Sequence, residues 1–226
     1  MNTFTINGGS SWYTNPETNI RKPGIFLTRE IQAYYHDFYH GGDLELRDTP
    51  GTVENIITTL KNQFKEKSVE VLLKAARCMI TILDKDLPRI LLMTGKGKLV
   101  VCTIPRSKAE TSYIPAQLLF KKAIQACVCG LDGFIDGTDY IVRHTDTRTT
   151  HLNKSGYGGD GDLPYPGITR DTCTISEAVK NKDILLIDDL YTANVNIDED
   201  AIQALFDNGA SSVTFYSLGK TIRRTL

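Results

Sequence analysis

The chain has 226 residues, of which 41% are hydrophobic and 23% charged, and its formal net charge is −1. That is enough chain for one sizeable α/β domain with its own core, and the charge balance excludes a general electrostatic draw towards nucleic acid or an anionic membrane. Every apolar run falls short of the roughly 18 residues that a membrane-spanning helix needs.

The opening stretch MNTFTINGGSSWYTN is polar and predicts no export leader. Residues 1–50 are rich in Gly, Thr, Asn and Tyr, with short strands such as GIFLTREI. They are expected to form a strand-and-loop segment, a hood or accessory piece ahead of an α/β domain at 51–226. TVENIITTLKNQFKEK (52–67) places Val53, Ile56, Ile57 and Leu60 on one helical face. A second helix is predicted over SVEVLLKAARCMITIL (68–83), with Ser68 as its cap. RILLMT (89–94) and KLVVCTI (98–104) read as strands joined at GKGK. IPAQLLFKKAIQACVC (114–129) reads as a helix stopped at Gly130, and DYIVRHT (139–145) as a strand. Residues 146–166 carry Asn, Gly, Asp and Pro with almost no apolar periodicity, which predicts a long functional loop. TCTI (172–175) is a short strand, and ILLID (184–188) is a continuous apolar strand of the kind buried on both faces. IDEDAIQALFDNG (197–209) is a helix with Ile197, Ala201, Ile202, Leu205 and Phe206 inward and Gly209 as its stop, followed by the strand SVTFYSL (212–218).

From residue 98 on, strands and helices alternate. The prediction is an α/β fold with a mainly parallel twisted sheet, right-handed crossovers and helices on both faces. Ligands of such sheets bind beyond the carboxyl ends of the strands. The five cysteines form no Cys-x-x-Cys pair and no zinc spacing with histidine. Their odd number and the lack of a leader predict reduced thiols in a cytoplasmic protein. Cys127 and Cys129 read as small core residues.

ILLIDDLYTANVNI (184–197) concentrates the chemistry. Two adjacent carboxylates at a strand end repel each other unless solvent or a ligand separates them, and they suit the vicinal hydroxyls of a sugar. The residues after them lead into a helix start, where free N–H groups and the helix dipole favour an anion. Carboxylates beside such a cradle suit a sugar phosphate. A receiver-domain strand has a similar look, but too little chain follows Asp189 to complete that domain. A Walker B strand would require a P-loop upstream, and MTGKGKLV lacks its spacing.

The stretch resembles the PRPP-binding motif of type I phosphoribosyltransferases, in which an apolar strand runs into two acids and a Thr- and Gly-rich turn. Asp188 and Asp189 match the acids and Thr192 the first threonine. Ala193, Asn194 and Asn196 depart from the usual Thr, Gly and Ser, although Asn tolerates a left-handed backbone and can donate to phosphate. The likeness is greatest to the ComF-like branch, without the four-cysteine zinc module found at the start of many such proteins. LVVCTIPRSKAE (99–110) resembles the family's first strand and the pyrophosphate loop after it, and YIVRHTDTRTTHL (140–152) resembles the strand that ends in Arg before a mobile arm.

The resemblance implies a type I phosphoribosyltransferase-like fold and a set of roles. Asp188 and Asp189 would hold the ribose hydroxyls of 5-phosphoribosyl 1-pyrophosphate (PRPP), and Tyr191, Thr192, Ala193, Asn194, Val195 and Asn196 would form the turn for its 5′-phosphate. Arg106 and Lys108 would stabilise departing pyrophosphate. Pro105, Ser107, Arg143, His144, Arg148 and His151 would belong to the pyrophosphate loop and to a lid over residues 146–166. Mg²⁺ would arrive on the PRPP, reached by Asp188 or Asp189 through water. The expected reaction transfers 5-phosphoribosyl to a small-molecule nitrogen acceptor. The alternative is a non-catalytic PRPP- or nucleotide-binding sensor or subunit, including an effector in stress or phage defence. Direct contact with nucleic acid or membrane is not expected, and a homo-oligomer or a larger assembly is compatible with the sequence.

Overall fold

The chain opens with four strands. In order, the elements are β1 (Asn2–Ile6), β2 (Gly9–Thr14), β3 (Arg21–Leu27), β4 (Ile31–Tyr39), α1 (Leu44–Asp48), α2 (Val53–Lys61), α3 (Val69–Thr94) and β5 (Leu99–Thr103). They continue with α4 (Leu119–Val128), β6 (Phe134–Asp136), β7 (Ile141–Arg143), β8 (Cys173–Ile175), β9 (Asp183–Tyr191), α5 (Ile197–Asp207) and β10 (Ser212–Thr221). The computed structural model describes residues 1–14, 20–62, 66–147, 172–193 and 195–222.

One sheet has the order β1-β4-β10-β9-β5-β6. β4, β10, β9, β5 and β6 are mutually parallel, and β1 runs antiparallel to β4. The protein is therefore α/β with a mostly parallel central sheet. Side chains alternate across β9. Leu185 and Ile187 pack under α2, α3 and α4 with Ile56, Leu60, Met79, Leu83 and Ile124. Ile184 and Leu186 pack on the opposite face with Ala201, Ile202 and Leu205 of α5. A strand covered on both faces has no polar positions to alternate with, which is why ILLI reads as an unbroken apolar run.

Several expectations are corrected here. The first 50 residues are not an accessory piece, because β4 lies inside the sheet between β1 and β10. RILLMT is not a strand but the end of α3. Leu72, Ala75, Met79, Leu83, Leu87 and Ile90 form one buried stripe at helical spacing, and it carries the helix through Pro88. The helix stops at Gly95, where φ is 65°. A short apolar run does not distinguish a buried helix from a buried strand. Residues 141–143 leave the main sheet to pair with β8, and the strand beside β5 is β6. Among the cysteines, Cys127 is buried but Cys129 is exposed, and all five are free thiols. Burial pushes the Cys102 and Cys127 thiols up to about 12.

A buried polar node ties α3 to the sheet. Asp86 accepts from the Tyr216 hydroxyl at 3.0 Å and lies 2.8 Å from His36 Nδ1. Burial opposes its charge, but the His36 and Tyr216 contacts outweigh burial and hold its carboxyl below the usual range. Among the described residues, no helix is long and apolar enough to cross a membrane.

Candidate functional site

The carboxyl ends of the parallel strands gather the predicted residues. β9 runs beyond the acidic pair to Tyr191, held by register with β10: Asp188 opposite Ser217, Leu190 opposite Gly219, Tyr191 opposite Lys220. Strand alternation separates the two acids. Asp189 forms an ion pair with Lys61 Nζ of α2 at 3.0 Å, whereas Asp188 meets the Asp198 carboxyl of α5. The Asp189 N–H donates to Asp188 Oδ1 at 2.7 Å.

These placements set the charges. Burial, then the charge of Asp189, pushes the Asp188 carboxyl up to about 7 against the pull of Lys61. Burial and Asp188 together raise Asp198, only 3% exposed, well above the usual range. Two carboxyls in contact do not both ionise, so the pair holds a proton. Lys61 is raised in turn: burial opposes its charge, but Asp189 and Asp188 outweigh it. Burial also raises Glu199, which accepts from the Tyr191 hydroxyl at 2.9 Å.

Between β9 and α5 the chain makes the predicted turn. The Val195 N–H donates to the Thr192 carbonyl at 3.2 Å, and the Thr192 hydroxyl oxygen is buried with no hydrogen-bond partner among the described residues. The left-handed residue is Asn196, with φ 67°, and it directly precedes α5. Asn194, from which a left-handed backbone was expected, lies outside the described residues. Asn196 is 1% exposed. Asn196→Val is expected to destabilise the protein by about 2 kcal/mol, because a β-branched residue is strained at positive φ. Asn196→Gly should stay closer to the parent. Equal urea midpoints for the Val variant and the parent would refute the assignment of this turn.

The loop after β5 lies beside the acidic pair, because Thr103 pairs with Ile187 and the Ile104 N–H donates to the Ile187 carbonyl at 3.1 Å. Its cations, however, mostly brace the loop. Arg106 Nη1 donates to the carbonyls of Lys61 at 3.0 Å and Gln117 at 2.8 Å, and its guanidinium stacks 4.4 Å from the Tyr113 ring centre. Arg143 is 4% exposed and donates from Nε to the Arg106 carbonyl at 2.7 Å. The Nε of Arg143 is thus committed to the loop backbone. Ser107 offers its carbonyl to the Thr147 N–H at 2.7 Å, and the Ala109 N–H donates to Asp146 Oδ1 at 2.7 Å. Pro105, Arg106 and Lys108 border a hollow of about 40 Å³. His144 is exposed, with Nδ1 3.0 Å from the Thr145 hydroxyl. Arg148, His151 and most of the expected lid lie outside the described residues.

The turn opens onto a cavity of about 490 Å³, lined there by Tyr191, Ala193, Asn196 and Glu199. Asp188, Asp189, Arg106 and Lys108 are not in its lining. The acids and the basic loop thus lie on neighbouring strand ends, and the turn is shared with the cavity.

Sequence reading missed Lys61, Asp198, Glu199 and Lys220. A signal existed for two of them. Lys61 follows Val53 and Ile57 at four-residue steps, and Asp198 precedes Ala201, Ile202 and Leu205 by three, four and seven. Among the described residues, no group of three or more His, Cys, Asp or Glu is arranged to hold a metal ion. Lys61 occupies Asp189, and Asp188 shares a proton with Asp198, so this donor set does not fit a resident Mg²⁺. No protein-family model matches the chain, and no curated protein matches it.

Proposed function

We propose that the protein binds PRPP at the β9–α5 junction and transfers its 5-phosphoribosyl group to a nitrogen acceptor, on a type I phosphoribosyltransferase-like fold. The observation that carries this reading is the junction itself. An acidic pair at the carboxyl ends of parallel strands runs into a turn with a left-handed Asn196 at the start of α5, and that turn opens onto a ligand-sized cavity.

In this reading, α5 offers its first N–H groups to the 5′-phosphate. Its first turn carries Asp198, Glu199 and Asp200. The raised carboxyls of Asp198 and Glu199 lessen the repulsion that a phosphate would otherwise meet. Asp188 and Asp189 accept from the ribose hydroxyls, with Lys61 released from Asp189 or retained as the neutralising charge beside it. The C1–O bond to pyrophosphate breaks, and its electron pair leaves with the pyrophosphate. The acceptor nitrogen forms the new bond to C1 and loses its proton to solvent. Mg²⁺ enters as the counter-ion of PRPP, part of the substrate. Lys108 borders the hollow after β5, whereas Arg106 donates to two backbone carbonyls, so charge stabilisation of the leaving group falls to Lys108 before Arg106.

Titration of the protein with PRPP and Mg²⁺ in a calorimeter, followed by a pyrophosphate-release assay with mixed purine, pyrimidine and amine acceptors, tests this. Binding with release is the expected result. No binding removes the reading. Binding without release favours the sensor or subunit reading, which has its own support in the engagement of Arg106 and Arg143 with backbone carbonyls.

A further inference from the structure

α3 runs for 26 residues, about 39 Å, and buries one stripe of its surface against the core. A second stripe, with steps of three and four residues, lies along its outer side: Leu73, Arg77, Ile80, Thr81, Asp84 and Pro88. Ile80 is half-buried and the other five are exposed. The stripe reads alike from either end except in the sign of its charges. An apolar residue comes first, then a charge, then the Ile80–Thr81 centre, then the opposite charge and a second apolar residue. Among the described residues, neither Arg77 nor Asp84 forms an ion pair within the chain. Asp84 Oδ1 accepts from the Cys127 thiol of α4 at 3.2 Å, which anchors the carboxylate and leaves Oδ2 to a further donor.

We infer that this side of α3 is an interface between two copies of the chain, packed antiparallel about a two-fold axis that passes between Ile80 and Thr81. A two-fold interface must be self-complementary, and the stripe is. The axis sets Arg77 of each copy opposite Asp84 of the other, which makes two ion pairs, and sets Leu73 against Pro88. Ile80 and Thr81 each meet their own copies at the axis. At the ends, Val69 comes to the level of Leu92, and these two are 72% and 82% exposed in the single chain. A parallel pairing would set Arg77 on Arg77 and Asp84 on Asp84, and like-charge repulsion excludes it. Lys74 and Lys85 fall to one side of the stripe, where both stay in solvent. Exposed ion pairs are weak, so burial of Leu73, Ile80 and Pro88 supplies the attraction and the charges fix direction and register. The inference is independent of phosphoribosyl transfer, because the stripe carries none of the residues assigned to that reaction.

Sedimentation velocity on the full chain, without ligand and over a range of concentrations, tests this. The parent is expected to sediment as a dimer at the upper concentrations and to shift towards monomer on dilution. Arg77→Asp and Asp84→Arg should each weaken the dimer on the order of tenfold, because each sets like charges face to face twice. Combined in one chain, the two substitutions exchange the charges and should restore the dimer. Thermal melting of every variant checks that it is folded. Arg77→Asp leaves the Cys127 contact of Asp84 in place, and Arg77→Lys should keep the dimer, so this pair decides the matter even if Asp84→Arg disturbs α4. A parent that is monomeric throughout overturns the inference. So does an Arg77→Asp variant that dimerises as tightly as the parent, or a folded combined variant no tighter than the single ones. None of these outcomes bears on PRPP binding.

Discussion

Asp188→Asn is expected to stabilise the protein above neutral pH while lowering its affinity for PRPP at least tenfold. The Asp188 carboxyl ordinarily ionises near 3.8 but in the fold keeps its proton to about 7, first through burial and then through the charge of Asp189. Between those values the folded state binds more protons than the unfolded state. The stability tied to that proton is present in full below 3.8 and is lost as the pH rises through about 7. Asn has the same shape, keeps an acceptor for the Asp189 N–H now held at 2.7 Å, donates to Asp198, and never ionises. The melting temperature should therefore vary less between pH 4 and 8. The gain at pH 8 should be on the order of 2 kcal/mol, less than the full shift implies because Asp188 keeps some solvent contact. Losing a charged acceptor for a ribose hydroxyl costs about 1.5–3 kcal/mol, which is roughly ten- to a hundredfold in affinity. Melting curves across pH and PRPP calorimetry on the same variant check both halves. An unchanged pH profile removes the shared proton, and an unchanged affinity removes the ribose contact.

The larger loss of stability is expected from Gly219→Val. Gly219 lies on β10 opposite Leu190, directly under α2. A Cβ there would sit 2.8 Å from Val53 Cγ1 and 3.1 Å from both Ile57 Cδ1 and Leu190 Cδ1. Alanine forces the Val53 methyl to shift and the other two to yield by a few tenths of an ångström, and should cost about 1 kcal/mol. Valine adds two more carbons to the same gap and should cost about 3 kcal/mol, because the interior is packed to crystal density. The effect reaches the site because α2 carries Lys61. Lifting the helix off the sheet draws the ammonium from Asp189, now 3.0 Å away. PRPP affinity should fall even under conditions where the variant is fully folded. Urea midpoints equal to those of the parent would show that α2 does not bear on Gly219 as described.

Local signals in the chain proved uneven in value. Ser68 caps α3, with its hydroxyl oxygen accepting from the Val71 N–H, as the pattern predicts. Gly209, at φ 88°, ends α5 as expected. Gly130, by contrast, has no positive φ, and α4 ends at Val128. Arg106 shows the limit most clearly. A basic loop after an apolar strand reads as an anion site, but the guanidinium serves the carbonyls of Lys61 and Gln117. Both partners come from other elements, and nothing near Arg106 in the sequence announces them.

Residue pattern alone was enough for the α/β class, the buried central strand and the acid-to-turn-to-helix stretch, because these rest on hydrophobic period and on backbone preferences carried by neighbouring residues. Packing settled the rest. It placed β4 inside the sheet, turned Asp188 and Asp189 to opposite faces, gave Asp189 to Lys61 and Asp188 to Asp198, and lined up Phe38, Lys220 and Tyr191 across three strands. The reason is physical: a charge takes its ionisation and its role from whichever groups lie within a few ångströms, and strand register brings those groups from distant parts of the chain.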